Sequence, residues 1–284
     1  MIIGEVYFLF VLGLVYLIVS SVQDIKSREV ENWISFGLIS VAFAYRAFQS
    51  VYIKDYQFIF FGVIGFGIFY LLGNLFYYSK AFGGADVKLL MGLGVLLPYN
   101  SYFEVFSISL EFVIILFLMT FVYTLIYSFF IAYGCKEKVV KDIKKTISLK
   151  WILVVFGLAV VGGFSISFIW YFAFGMMFFG YFLFISLLYV YLKSVDKCMI
   201  KFVSPNDLRE GDWILGDVKL ERYLVKNTAH GLSLKDIEML RKAKKKIVVK
   251  YGIPFVPAIL ISWIIMGFFY LFLKLNLVGL VLRF

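Results

Sequence analysis

Long apolar runs separated by short polar connections recur along the chain, at residues 2–23, 33–53, 58–78, 87–97, 105–133, 151–165, 168–192 and 253–273. None alternates apolar and polar positions in the ten-residue rhythm of a membrane barrel, so the pattern predicts helices. A helix that crosses a bilayer upright needs about 20 residues, which leaves 87–97 and 151–165 short. Residues 151–192 read as one apolar stretch, too long for a single straight crossing, and the expected break is at Gly162–Gly163. The predicted fold is an all-α polytopic membrane protein of about eight transmembrane helices.

One polar stretch, residues 193–252, is long enough for a small α+β module. Residues 198–203 read as a strand, 205–212 as a turn region and 247–249 as a β-branched run. Ser233 is the expected N-cap of a helix running to about Lys245, with Asp236 in its first turn. Pro254 and Pro257 stand where the last apolar helix should start. The expected organisation is a membrane core over 1–133, a basic loop and further helices over 134–192, the module over 193–252, and a closing membrane helix over 253–284.

Composition agrees: 63% of residues are hydrophobic and 16% charged, and the mean hydropathy is +0.94. A soluble domain averages about 45–50% apolar and about 25% charged. The net charge of +10 follows position. If the first helix runs inward, 24 of the 28 basic residues fall on or beside the cytoplasmic connections. Arg46, Lys54, Lys274 and Arg283 fall on or near the other side. The positive-inside rule therefore explains the basicity without nucleic acid, and the lysine runs at 136–150 and 242–246 are expected to meet anionic lipid. The first helix lacks a basic n-region and a small-residue cleavage site, and is expected to be retained.

Residue counts also remove chemistries. The single histidine, His230, expected in a surface turn, excludes H-E-x-x-H zinc sites, and two cysteines cannot build a four-thiolate site. Cys135 and Cys198 are expected on the cytoplasmic side as separate thiols. No phosphate-binding G-x-x-x-x-G-K-[ST] is present. Acid pairs remain.

The acids in or beside apolar runs are Glu5, Asp24, Asp86, Glu104 and Glu111. A carboxylate near lipid is costly, which makes each a functional candidate. Asp24 closes the first apolar run and Asp86 opens the fourth, so both are expected at one depth on the cytoplasmic side. Two neighbouring carboxyls share a proton, and the pair can activate water while protonating a leaving amide. Asp86 follows Gly83-Gly84-Ala85, and the two glycines are expected to let the backbone bend and another segment approach. Lys88 should point away from Asp86 and snorkel to the interface. Glu29 and Glu31, in the loop after Asp24, are read as solvated charges with a possible role in attracting a basic substrate.

Asp24-x-x-x-Arg28-x-[apolar]-x-Asn32 after the first helix, with Gly83-Gly84-Ala85-Asp86-x-Lys88 before a later one, resembles the type IV prepilin peptidases. These include the archaeal preflagellin (prearchaellin) peptidases, a branch of the GxGD membrane aspartyl proteases. The likeness in the motifs covers about residues 15–98. Residues 212–215 and 252–257 are more loosely similar to the tails of archaeal members. Ala85 stands where the general pattern allows Gly, and Glu31 where many relatives carry Pro. The paired Cys-x-x-Cys motifs of bifunctional bacterial members are absent.

The resemblance implies an aspartic endopeptidase of the cytoplasmic membrane with Asp24 and Asp86 catalytic and no metal or organic cofactor. Its implied substrate is a pilin-like or archaellin preprotein, whose short basic leader precedes an apolar helix. Three other readings stay open: a GxGD protease acting on other membrane helices, an ion-coupled transporter using the same acids, and a non-catalytic assembly protein.

Overall fold

The computed structural model describes residues 3–79, 82–169, 171–208, 210–220, 223–226, 228, 231–243 and 246–273. His230 lies outside these. The helices are α1 (Ile3–Ser27), α2 (Asn32–Tyr52), α3 (Gln57–Tyr78), α4 (Gly84–Leu96), α5 (Tyr102–Gly134), α6 (Lys136–Thr146), α7 (Leu149–Ile169), α8 (Phe172–Asp196), α9 (Leu234–Lys242) and α10 (Val256–Phe268). Among the described residues six helices, α1, α2, α3, α5, α7 and α8, are long and apolar enough to cross a membrane. α4 and α10, with 13 residues each, are about 20 Å long and fall short of a bilayer's core.

The chain divides into two compact units. The first comprises residues 1–124 and 253–284. Its core gathers Leu9, Leu17, Ile34, Leu38, Phe69, Leu89, Leu93, Phe112 and Trp263. α3 and α4 meet backbone to backbone: a Cβ on Gly65 would lie 2.3 Å from the Gly94 carbonyl oxygen, a separation only glycine permits. The indole Nε1 of Trp263 on α10 donates to the Phe10 carbonyl of α1 at 3.0 Å.

Arg46, expected on or near the outer side, has a fully buried side chain. Its guanidinium donates to the carbonyls of Val95 (2.5 Å) and Leu97 (2.6 Å) at the end of α4, and of Phe58 (2.6 Å) at the start of α3. The last carbonyls of a helix have no partner within it, and an apolar bundle supplies no water to meet them. A cation there also complements the helix dipole. This explains how so short a helix ends inside the unit: Arg46 satisfies the carbonyls that lipid cannot.

The second unit covers residues 125–252. α7 passes straight through Gly162–Gly163, where the break was expected, and stops at Ile169. Those glycines are packing positions: a Cβ on Gly163 would meet the Gly175 carbonyl of α8 at 3.0 Å, and one on Gly162 would meet Phe178 at 2.5 Å. A second correction concerns the cysteines. Cys135, at the entrance to α6, and Cys198, just beyond α8, are joined as a disulfide with Cα atoms 6.3 Å apart. Polar contacts bring those ends together: Asp142 on α6 accepts from Lys197 at 2.5 Å and from the Ser194 hydroxyl at 3.1 Å.

The module holds β1 (Ile200–Val203), β2 (Trp213–Ile214) and β5 (Ile247–Lys250) in an antiparallel sheet of order β1-β5-β2. A separate hairpin pairs β3 (Val218–Lys219) with β4 (Leu224–Val225). Ile214, Val225, Leu232, Ile237, Leu240 and Val249 form its core. α9 begins as its sequence predicts: the Ser233 Oγ accepts the Asp236 amide at 3.2 Å, and Asp236 Oδ2 accepts the Ser233 amide at 3.0 Å. Tyr223 donates to the other carboxylate oxygen at 3.0 Å. Burial pushes the Asp236 carboxyl up, but hydrogen bonds from Ser233 and Tyr223 outweigh it and hold the group below the usual carboxylate range.

A lowered folded value stabilises the fold above the unfolded value, about 3.9 for Asp, and that contribution disappears as pH falls through the folded value. Ser233→Ala should therefore cost about 1 kcal/mol, seen in the full chain at neutral pH as roughly fivefold faster amide exchange across α9. Asp236→Asn should also exchange faster at neutral pH and converge on wild type as pH falls well below 4. A difference that persists unchanged into acid contradicts the linkage.

Candidate active site

α1 carries Asp24 in its last turn, buried to 7% exposure. Its Oδ2 accepts a 2.9 Å hydrogen bond from the backbone N–H of Val256, the first residue of α10. The carboxylate thus occupies a helix N-terminus, where unpaired amides and the dipole favour negative charge. Nothing local in the sequence announces this contact.

Beyond Asp24 the chain turns sharply. The Arg28 amide donates to the Asp24 carbonyl at 2.8 Å, and Arg28 itself adopts a left-handed backbone with φ of 58°. That conformation costs a non-glycine residue about 1 kcal/mol or more, and here it ends the helix. Gln23 Oε1 accepts the Glu31 amide at 3.2 Å, and Val30 is buried. The spacing Asp24-x-x-x-Arg28-x-Val30-x-Asn32 is therefore one folded turn that delivers Asn32 to the start of α2.

Asp86 stands in the first turn of α4, half-buried, and its Oδ2 accepts the Gly83 amide at 2.9 Å. Gly83 has φ of −75°, open to any residue, so the expected glycine bend is not what the site uses. What glycine supplies is room, since a Cβ there would lie 3.2 Å from the same carboxylate oxygen. Gly84 and Ala85 complete the approach to Asp86 as the first two residues of α4. Asp24 lies within electrostatic reach of Asp86.

Lys88 makes an exposed contact with the start of α2. Its Nζ donates to Asn32 Oδ1 at 2.7 Å and sits 5.1 Å from the centre of the Phe36 ring. Lys88–Asn32 thus joins the two motifs, whose aspartates lie within electrostatic reach of one another. Glu29 and Glu31 are exposed in the intervening turn, where the Glu31 carboxylate accepts the Trp33 indole N–H. The other membrane acids have separate work. Glu5, at the opposite end of α1, accepts from Gln49 at 2.6 Å, and Glu104 accepts the Asn100 amide at 3.0 Å. Glu111 is buried on α5. Missed by sequence reasoning are the buried hydroxyls of Ser20 and Ser21, one helical turn before Asp24 and without a hydrogen-bond partner.

Residues 11–134 match the model of the type IV leader peptidase family. Over those residues the chain is similar to that family. Asp24, Asn32, Asp86 and Lys88 all lie inside the matched segment, and Val256 lies outside it. Preflagellin peptidases from three archaea are similar to the chain. That of Methanococcus voltae is 36% identical over 93 residues, covering 33% of this chain and 40% of the relative. That of Methanococcus maripaludis is 38% identical over 91 residues, or 31% and 38% of the two chains. That of Methanocaldococcus jannaschii is 34% identical over 92 residues, or 32% and 39%. The chain spans about two fifths of the length of these curated relatives. No solved structure matches it.

The link between the motifs is measurable. Lys88→Met and Asn32→Ala, made singly and together, should show a coupling of about 1 kcal/mol in a detergent-unfolding cycle, the lower end for a charge-assisted hydrogen bond at an accessible site. Strictly additive losses would mean the two side chains do not support one another.

Proposed function

We propose that the protein is a membrane aspartic endopeptidase that removes the short basic leader from pilin-like or archaellin preproteins, with Asp24 and Asp86 as its catalytic pair. The observation that carries this reading is the approach of two carboxylates, each at the end of a helix, within the segment that matches the leader-peptidase family. Water is deprotonated by one carboxylate as it attacks the scissile carbonyl, while the other, protonated, donates to the carbonyl oxygen. Collapse of the tetrahedral intermediate then delivers a proton to the leaving amine.

α4 and α10 join the six longer helices as membrane-inserted elements, making eight, and the aspartate end of α1 faces the cytoplasm with most of the basic residues. In this reading residues 1–133 are the protease core, 193–252 a cytoplasmic module, and lipid surrounds the apolar helices. The substrate's apolar helix lies along the core and presents its leader junction at the water boundary. Glu29 and Glu31 draw in the basic leader.

Purified membranes mixed with prepilin and prearchaellin substrates test the assignment. A single cut between leader and apolar helix is expected, with a bell-shaped pH dependence whose two limbs belong to the pair. A flat profile from acid to neutral pH would count against the dyad. In the same assay Glu29→Lys with Glu31→Lys should raise KM for a basic leader several-fold and leave a neutral leader unaffected. An unchanged KM would remove the acidic patch from the account.

A further inference from the structure

Both motifs converge on one short segment that neither of them contains. The Val256 amide holds the Asp24 carboxylate at 2.9 Å, a contact between residues 232 apart in sequence. The Phe255 amide acts on the same carboxylate. The Phe255 ring, meanwhile, packs on Phe82 with centroids 4.4 Å apart. Phe82 immediately precedes Gly83, whose amide holds Asp86. It is itself buried, lies 4.8 Å from the Phe76 ring, and donates its amide to the Phe76 carbonyl at 3.3 Å. Two consecutive residues therefore reach both aspartates, Val256 touching Asp24 through its backbone and Phe255 touching the segment that supports Asp86 through its side chain.

The segment is suited to fixing a distance. Pro254 and Pro257 flank it, both buried, and each fixes its own φ. Val256 has no exposed surface, so its amide has no access to water and Asp24 is its acceptor. An acid at a helix N-terminus is an ordinary structural cap, and that alone would make Val256 only a stabiliser of α10. The tilted ring contact with Phe82 adds what a cap does not need, a second contact that reaches toward Asp86.

We propose that Phe255–Val256, at the entrance to α10, is a positioning element that sets the spacing of the Asp24 and Asp86 carboxylates. The proposal rests on the protease reading for its kinetic consequence but not for its geometry. Val256 acts on the Asp24 carboxylate through its backbone amide and Phe255 acts through Phe82, and neither side chain is assigned a contact with substrate, so their loss should lower kcat and spare substrate binding. A displacement near 1 Å in a reacting group costs roughly 100-fold.

The test combines kinetics with a distance. Phe255→Ala and Val256→Pro are expected to lower kcat about 10- to 100-fold with KM within about threefold of wild type. Phe255→Tyr, which keeps the ring, should restore kcat. In chains with Cys135 and Cys198 replaced by serine, spin labels at the exposed positions Lys26 and Ser79 report how the two motif-bearing ends are spaced. Phe255→Ala should shift or broaden that distance distribution, and Phe255→Tyr should not. Should Val256→Pro fail to fold, the Phe255 pair decides. An unchanged distribution in Phe255→Ala overturns the proposal whether or not wild type cuts a substrate. So does a kcat within twofold of wild type, or a loss confined to KM. If wild type cuts nothing while the distribution responds as expected, the protease reading fails and the positioning role stands.

Discussion

A polar group held inside an apolar bundle has to find its partner within the protein, because lipid offers none. The first unit is organised around that constraint. Arg46 meets the carbonyls at the end of α4 and the start of α3, Trp263 meets the Phe10 carbonyl, and Asp24 meets the Val256 amide. Removing one partner from such a pair strands the other, a loss larger than the net worth of the bond itself. The same requirement places the aspartates. Asp86 can open a helix too short to cross because Arg46 closes it, and Asp24 can sit buried because α10 begins beside it.

This arrangement leaves the two carboxylates differently supported. Asp24 is held by the N-terminus of a helix distant in sequence, while Asp86 is held by the amide of Gly83, three residues before it. Lys88 and Asn32 tie the surrounding turns together. Groups so fixed lose little freedom when a substrate arrives, which is the condition under which positioned acid–base catalysis is effective. In the proposed reading, substrate selection is assigned to a different surface, the exposed turn after α1 and the apolar flanks of the helices.

Much of this was legible in the chain. Each of the eight long apolar runs corresponds to a helix, and Ser233 caps α9 as its position predicts. Asp24 and Asp86 stand out as candidates because a carboxylate beside lipid is costly. Contacts distant in sequence were not legible. Nothing near Asp24 points to Val256, and nothing near Arg46 distinguishes an interfacial charge from a buried cap for α4. Gly162–Gly163 looked like a break because composition does not separate a glycine that bends a helix from one that admits a neighbour. Cys135 and Cys198 were read from their compartment, whereas the salt bridge between Asp142 and Lys197 brings their segments together.

The central claim is that Asp24 and Asp86 act as one catalytic pair. The direct measurement is the mass of the leader released from prepilin and prearchaellin substrates by wild type, Asp24→Asn and Asp86→Asn, each confirmed as folded. The account predicts release by wild type and a loss of at least about a thousandfold in either variant, as for members of a unit that fails together. Cleavage at the same bond by both variants would contradict it.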